Sequence, residues 1–173
     1  MLLYKLGHIS GLMLGIGLSL VLQAAETPIP KFKDYPVNTV YNGAPAPLVM
    51  TEMAKTFKTR LREALQGKPV FAGEYVQATW GCGTSCGMTT FVNKRTGRVA
   101  EDSFGGEFGP YVTDYKLNSR LLVAEGAIMD KDGQDTGKYA VYFYLMQKNG
   151  QFKLLEKRLI PRPEDANHDG LPD

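Results

Sequence analysis

The chain has 173 residues, and its 20 Lys and Arg nearly balance its 18 Asp and Glu, which leaves a formal net charge of +2. So small a charge excludes the strong electrostatic attraction that nucleic-acid-binding proteins and proteins of anionic membrane surfaces use, so we predict no nucleic-acid partner. The length suits a single domain with a buried apolar core, whose partners are selected by local shape.

The N-terminal segment, residues 1–25, has the pattern of a secretory signal peptide. Lys5 lies in a short n-region, an apolar run follows from Ile9 to Leu22, and Ala25 provides a small residue at the exit. We therefore predict a periplasmic or secreted protein. After cleavage it has no membrane span, because no later apolar stretch approaches the roughly 20 residues needed. If it were retained, the same segment would anchor the domain to a membrane.

The next two segments differ in their proline content. Residues 26–47 contain five prolines and predict an extended arm. From Met50 to Leu65 apolar residues recur at helical spacing, with Pro47 near the start and Gly67 just past the end. This pattern predicts the main helix of the protein.

After the helix the sequence changes to short β-type runs separated by turn residues, among them Asn149 and Gly150. The predicted strands are Val70–Trp80, Met88–Asn93, Leu121–Ile128, Tyr139–Gln147 and Gln151–Leu159. A helix followed by consecutive strands predicts an α+β fold, in which one main helix packs on an antiparallel sheet of about five strands. The predicted domain spans residues 48–160, and a polar tail follows at 161–173.

Both cysteines lie in one glycine-rich segment, WGCGTSCG, from Trp80 to Gly87. In an oxidising compartment Cys82 and Cys86 predict a disulfide. The resulting ring either completes a hairpin or presents a rigid loop to a protein partner, with Trp80, Gly83, Thr84 and Ser85 as the contact residues. A redox or zinc role is less favoured, since the spacing is CxxxC, no basic residue adjoins, and two thiolates only half fill a zinc site.

A helix ending before Gly67, a strand, a cysteine-closed loop and a second strand resemble the periplasmic inhibitors of vertebrate-type lysozyme over residues 57–93. In that family a histidine and an acidic residue of the loop enter the lysozyme active site, so the resemblance implies an inhibitor-like function. This chain has Gly83, Thr84 and Ser85 between the cysteines instead, and its loop is one residue shorter. The segment FAGEYVQATWGCGTSCG also resembles small uncharacterised exported bacterial proteins with a WGCGxxC motif. This second resemblance implies no activity.

The polar tail has the spacing DxNxDGxxD. Its oxygen-bearing side chains resemble the calcium loops of thrombospondin type 3 repeats and dockerin-like modules, and the resemblance implies a weak calcium site; the residues are Asp165, Asn167, Asp169 and Asp173. The loop ends before the position that normally supplies a bidentate acid. We therefore favour a frayed polar terminus, with the weak calcium site as the alternative, and we predict no other cofactor.

A second glycine-rich segment, FGGEFGPY, runs from Phe104 to Tyr111. It predicts a crossover whose rings pack into the core, the alternative being a mobile binding lip.

The histidine content bears on catalysis. Beyond the leader the only histidine is His168, so a serine or cysteine hydrolase lacks its usual base. We therefore predict an exported, non-enzymatic binding or inhibitor-like module without catalytic residues. The alternatives are a calcium-binding structural module, and a hydrolase of envelope polysaccharide that uses a pair of carboxylates. The candidate acids for that hydrolase are Glu74, Glu101, Asp102, Glu107 and Asp114.

Overall fold

The computed structural model describes residues 28–84, 86–107 and 109–164. The fold is mostly β, with 43% of the residues in strands and 13% in helices, and it contains two antiparallel sheets of three and four strands. The prediction of an α+β fold, with one main helix on a single sheet of about five strands, is therefore wrong. The predicted signal peptide and the calcium-loop residues of the tail lie outside the described residues.

Among the described residues, two short helices precede seven strands, and a 3-10 turn at Phe32–Asp34 precedes both helices. The bounds are α1 Glu52–Thr56, α2 Lys58–Gln66, β1 Tyr75–Gly83, β2 Cys86–Asn93, β3 Phe104–Gly105, β4 Tyr111–Tyr115, β5 Leu121–Met129, β6 Asp135–Met146 and β7 Phe152–Ile160.

The single predicted helix is divided at Phe57. Thr51 caps α1 by accepting a hydrogen bond from the Ala54 amide at 3.2 Å. Phe57 then leaves the helical conformation, with φ −107° and ψ 24°, and its ring stacks on Trp80 with centroids 4.1 Å apart. Helical periodicity continues through the break, because the apolar residues of both helices face the same sheet.

The sheet prediction fails between β2 and β5, where β3 and β4 were not predicted. The first sheet has the order β1-β2-β3 and the second has the order β4-β5-β6-β7. β3 has only two residues, and β4 carries a register shift between Val112 and Asp114. Neither segment shows a clean alternation in the sequence. Because β4 pairs with β5 rather than with β2, the strands form two sheets.

The first sheet lies in the middle of three layers. Phe71, Phe91 and Phe104 pack against Leu122 and Met146, which places one core between the two sheets. A second core joins the helices to the opposite face of the first sheet; its buried members are Ala54, Leu61, Leu65, Val76, Ala78 and Val92. Adjacent residues of β2, Phe91 and Val92, are therefore both fully buried on opposite faces. No helix in the described part of the chain combines the length and apolar character needed to cross a membrane.

The arm before α1 is extended, apart from its 3-10 turn, and it ties the two sheets together. The Val37 amide donates to Asn118 O at 2.9 Å, and the Tyr41 amide donates to Gly73 O at 2.8 Å. Further along, the Val49 amide donates to Gly97 O at 2.9 Å. These hydrogen bonds satisfy backbone groups that would be paired within a strand or helix in a regular element. The described part of the proline-rich segment is therefore fixed although its only regular element is the 3-10 turn.

Candidate functional site

The β1–β2 hairpin ends in the predicted disulfide. Cys82 and Cys86 are bonded, with their Cα atoms 5.1 Å apart, which confirms the pairing predicted from the sequence. The strand register passes from Gly81 opposite Gly87 to Gly83 opposite Cys86, so Cys82 is left over as a bulge. Gly83 has φ +149°, which a residue without a Cβ adopts readily. Gly83 therefore allows the hairpin to contain both the bulge at Cys82 and the Cys82–Cys86 disulfide.

The tip of this hairpin, Gly81–Thr84, is exposed at every residue. It carries no ionisable side chain, because Cys82 is held in the disulfide. Ser85, the remaining predicted contact residue, lies outside the described residues. The described part of the tip therefore offers backbone groups, a disulfide and one hydroxyl, and it carries no charged side chain.

Trp80, the fourth predicted contact residue, lies at the base of the tip and is only half-buried. One face of its ring stacks on Phe57 with an interplanar angle of 22°, and it packs against the core between the helices and the first sheet. Stacked aromatic pairs of this kind restrict both rings. Trp80 therefore anchors the hairpin to the helices, and only part of its surface is accessible.

The part of the hairpin next to the tip, at Gly87 and Met88, is also held by the second glycine-rich segment. Gly105 pairs with Met88 across the β2–β3 ladder, and the Gly106 amide donates to Gly87 O at 2.9 Å. Tyr111 then donates its hydroxyl to Gly106 O at 2.8 Å. The two glycine-rich segments singled out in the sequence are thus in direct contact, which sequence reasoning missed.

Close approach explains the glycines in this contact. Gly105 has φ +91°, and a Cβ at this position would overlap with Gly87 O. Any larger residue would push β3 away from the hairpin. The signal available in the sequence was the pair of neighbouring glycines in FGGEFGPY, which is typical of a close backbone approach rather than of a flexible lip.

The same segment supports the crossover interpretation. Phe104 is 4% exposed in the core between the sheets, and its ring makes an edge contact with Phe152 at 5.0 Å between centroids. Its aromatic end therefore fills the core, while Glu107 is exposed.

A shallow groove of about 390 Å³ runs beside the tip. It lies where the hairpin meets β4, and its lining is mostly apolar or uncharged: Thr79, Trp80, Met88, Thr89, Tyr111 and Val112. Met88 has a flexible, polarisable side chain that adapts to different apolar surfaces. The tip and this groove are adjacent and form the candidate binding site. Of the groove residues just named, Trp80 alone was predicted as a contact residue; Thr79, Met88, Thr89, Tyr111 and Val112 were not.

The candidate acids of the hydrolase hypothesis occupy separate structural positions. Glu74 accepts hydrogen bonds from Asn93 Nδ2 and Arg95 Nε, both at 2.7 Å. Glu101 accepts one from Gln151 Nε2 at 2.6 Å, and Asp102 accepts one from the Phe152 amide at 2.9 Å. Glu107 and Asp114 are exposed.

One pair of these acids shares a cavity. Glu74 and Glu101 both line a larger cleft outside the candidate binding site. Within the part of the chain that the structure describes, no cluster of three or more His, Cys, Asp or Glu side chains could hold a metal ion.

No known family model, curated protein or solved structure matches this chain. The function is therefore argued from the site alone.

Proposed function

We propose that this protein is an exported, non-enzymatic binding module of the inhibitor type, which presents the Cys82–Cys86 tip to a protein partner. The observation that supports the proposal is the combination of full exposure at the tip with fixation at its base. A loop that is already rigid loses little conformational entropy on binding, so more of its contact energy appears as affinity. The disulfide agrees with an oxidising compartment such as the periplasm or the extracellular space.

The partner proposed for this site has an uncharged cleft that accepts the tip. The described tip residues carry no charge that could pair with a charged cleft, and the neighbouring groove offers Met88 and Tyr111 to an apolar side chain on its rim. Burying an unpaired charge in such an interface is unfavourable. A negative charge introduced at Thr84 is therefore the most direct way to prevent binding.

The proposal is tested by capture from envelope extracts, with the amount of each captured protein measured against bait variants. Thr84→Asp adds one negative charge at the β1–β2 tip. Gln134→Asp adds the same charge at the exposed β5–β6 turn and is the matched control. We expect a partner that wild type and Gln134→Asp retain equally, and that Thr84→Asp loses by at least about tenfold.

Thermal midpoints of all baits show whether the fold is intact. Equal retention by wild type, Thr84→Asp and a Cys82→Ser, Cys86→Ser double variant would contradict the proposal, as would capture of no protein. Loss of the folded state in Thr84→Asp would assign the tip a structural role instead.

A further inference from the structure

A second cleft, with a volume of about 500 Å³, lies away from the disulfide tip. It forms where the two sheets meet: the β2–β3 connection contributes Arg98 and Glu101, and the β6–β7 turn contributes Lys148 and Asn149. The Glu101 amide donates to Gly150 O at 3.3 Å and joins these two walls. The volume is within the range of small-molecule sites, about 300–1,000 Å³.

The floor of the cleft is polar and deeply buried. Tyr75 and Asn93 are each 6% exposed. Burial raises the pKa of the Tyr75 phenol above its usual value of 10.0, which further favours the neutral form. Asn93 Oδ1 accepts hydrogen bonds from the Arg95 and Thr96 amides at 3.0 and 3.1 Å. These contacts fix the floor before any ligand binds.

The negative charge of Glu74 is already compensated inside the cleft. Its carboxylate forms a salt bridge with Arg95 at 2.7 Å and accepts the Asn93 amide. The guanidinium of Arg95 lies over the Tyr41 ring at 4.4 Å, which holds the ion pair in place. Glu74 is therefore a structural acid, and its charge is not available to a ligand.

The remaining charges of the cleft do not balance. Arg98 and Lys148 have no ion-pair partner among the described residues, and both are exposed at the cleft. Opposite them stands one carboxylate, Glu101, whose Oε2 accepts from Gln151 at 2.6 Å and whose Oε1 receives no hydrogen bond from the described residues. Arg98 and Lys148 together carry two positive charges and Glu101 carries one negative charge, so one positive charge is uncompensated. Glu101 Oε1 is available as a hydrogen-bond acceptor.

We propose that this cleft binds a small hydroxycarboxylate monoanion. Its carboxylate is bound by Arg98 and Lys148, which are donors suited to a carboxylate, and its hydroxyl donates to the free oxygen of Glu101. A monoanion neutralises the uncompensated charge, and Val49 and Val99 on the walls accept a short carbon chain. This inference is independent of the disulfide tip.

The proposal is tested by titrating the isotope-labelled full chain with lactate, 3-hydroxybutyrate and gluconate, and following the amide resonances. Each acid is compared with its primary amide, which keeps the shape but removes the charge, and 3-hydroxybutyrate is also compared with butyrate. We expect at least one acid to shift the Arg98, Lys148 and Gly150 resonances saturably. Its amide should bind at least about tenfold more weakly, and butyrate should bind more weakly than 3-hydroxybutyrate.

Variants locate the site. Arg98→Gln combined with Lys148→Gln should weaken binding of the best acid by at least about tenfold. The matched control combines Lys58→Gln and Lys138→Gln, which remove two exposed positive charges outside the cleft and should leave binding unchanged. Absence of saturation by all three acids up to about 10 mM would overturn the proposal. Equal binding of acid and amide, or wild-type affinity in the cleft variant, would overturn it as well.

Discussion

Two long hairpins of this protein close their turns in different ways. The β5–β6 turn is closed by side chains: Asp130 Oδ1 accepts hydrogen bonds from the Asp132 and Gln134 amides, both at 2.9 Å, and the Thr136 hydroxyl donates to Ile128 O at 2.6 Å. The β1–β2 tip is closed by the Cys82–Cys86 disulfide. Closure by aspartate leaves a charged turn, whereas closure by a disulfide leaves an uncharged one. The difference indicates that the disulfide provides a rigid tip without charged side chains.

The largest expected effect concerns the contact between β3 and the β1–β2 hairpin next to the tip. It is measured by substituting two glycines of similar backbone conformation, one in this contact and one outside it. Gly105 has φ +91° and its added Cβ would overlap with Gly87 O, whereas Gly137 in the other hairpin has φ +74° and no atom within 4 Å of the added Cβ. We expect Gly137→Ala to lower the free energy of unfolding by about 1 kcal/mol. Gly105→Ala should lower it by about 3 kcal/mol, because the strand must also shift.

Urea unfolding of both variants beside wild type measures this difference. Equal losses in the two variants would show that β3 moves freely away from the hairpin. The rigid base on which the proposed function depends would then be disproved.

Features formed by residues that are close in the sequence could be predicted from it. The pairing of Cys82 with Cys86 was predictable because the chain contains just these two cysteines, and Gly150 at the predicted turn has the positive φ that glycine permits. Each feature depends on residues adjacent in the chain.

Features that depend on distant residues were missed. The neighbouring glycines at 105 and 106 indicate a close backbone approach but not that Met88 is the partner, and nothing near Phe57 indicates that its ring stacks on Trp80. The division into two sheets depends on β4, whose register shift hides the alternation. The residues that line the cleft come from several separate segments of the chain. Glu74, one of them, pairs with Arg95, which lies 21 positions further along.

A medium effect is expected from opening the disulfide itself. Replacing both cysteines by serine removes a five-residue ring, for which chain entropy gives about 2 kcal/mol of stability. The β1–β2 strands remain attached below the tip through the pairing of Trp80 with Met88. We therefore expect a folded protein with a lower unfolding midpoint and with faster amide exchange that, among the described residues, is confined to 81–84, 86 and 87.

The control for this variant is the exchange rate at the β5–β6 turn, which should be unchanged. Faster exchange throughout the first sheet would contradict local rigidity as the role of the ring. Unchanged exchange at the tip would show that the backbone alone fixes its shape.

The smallest effect is expected from the turn closed by aspartate. Asp130→Ala removes the acceptor of two amide hydrogen bonds on an exposed turn, where water replaces the lost partner, so the expected loss is about 1 kcal/mol. Asp130→Asn keeps the Oδ1 acceptor but removes the charge and should retain most of the stability, as measured by urea unfolding. If Asp130→Ala destabilised the protein as much as loss of the disulfide, hydrogen bonds would close a hairpin as strongly as a covalent ring. The two closures would then differ mainly in charge, because the described tip residues carry none and the β5–β6 turn carries Asp130 and Asp132.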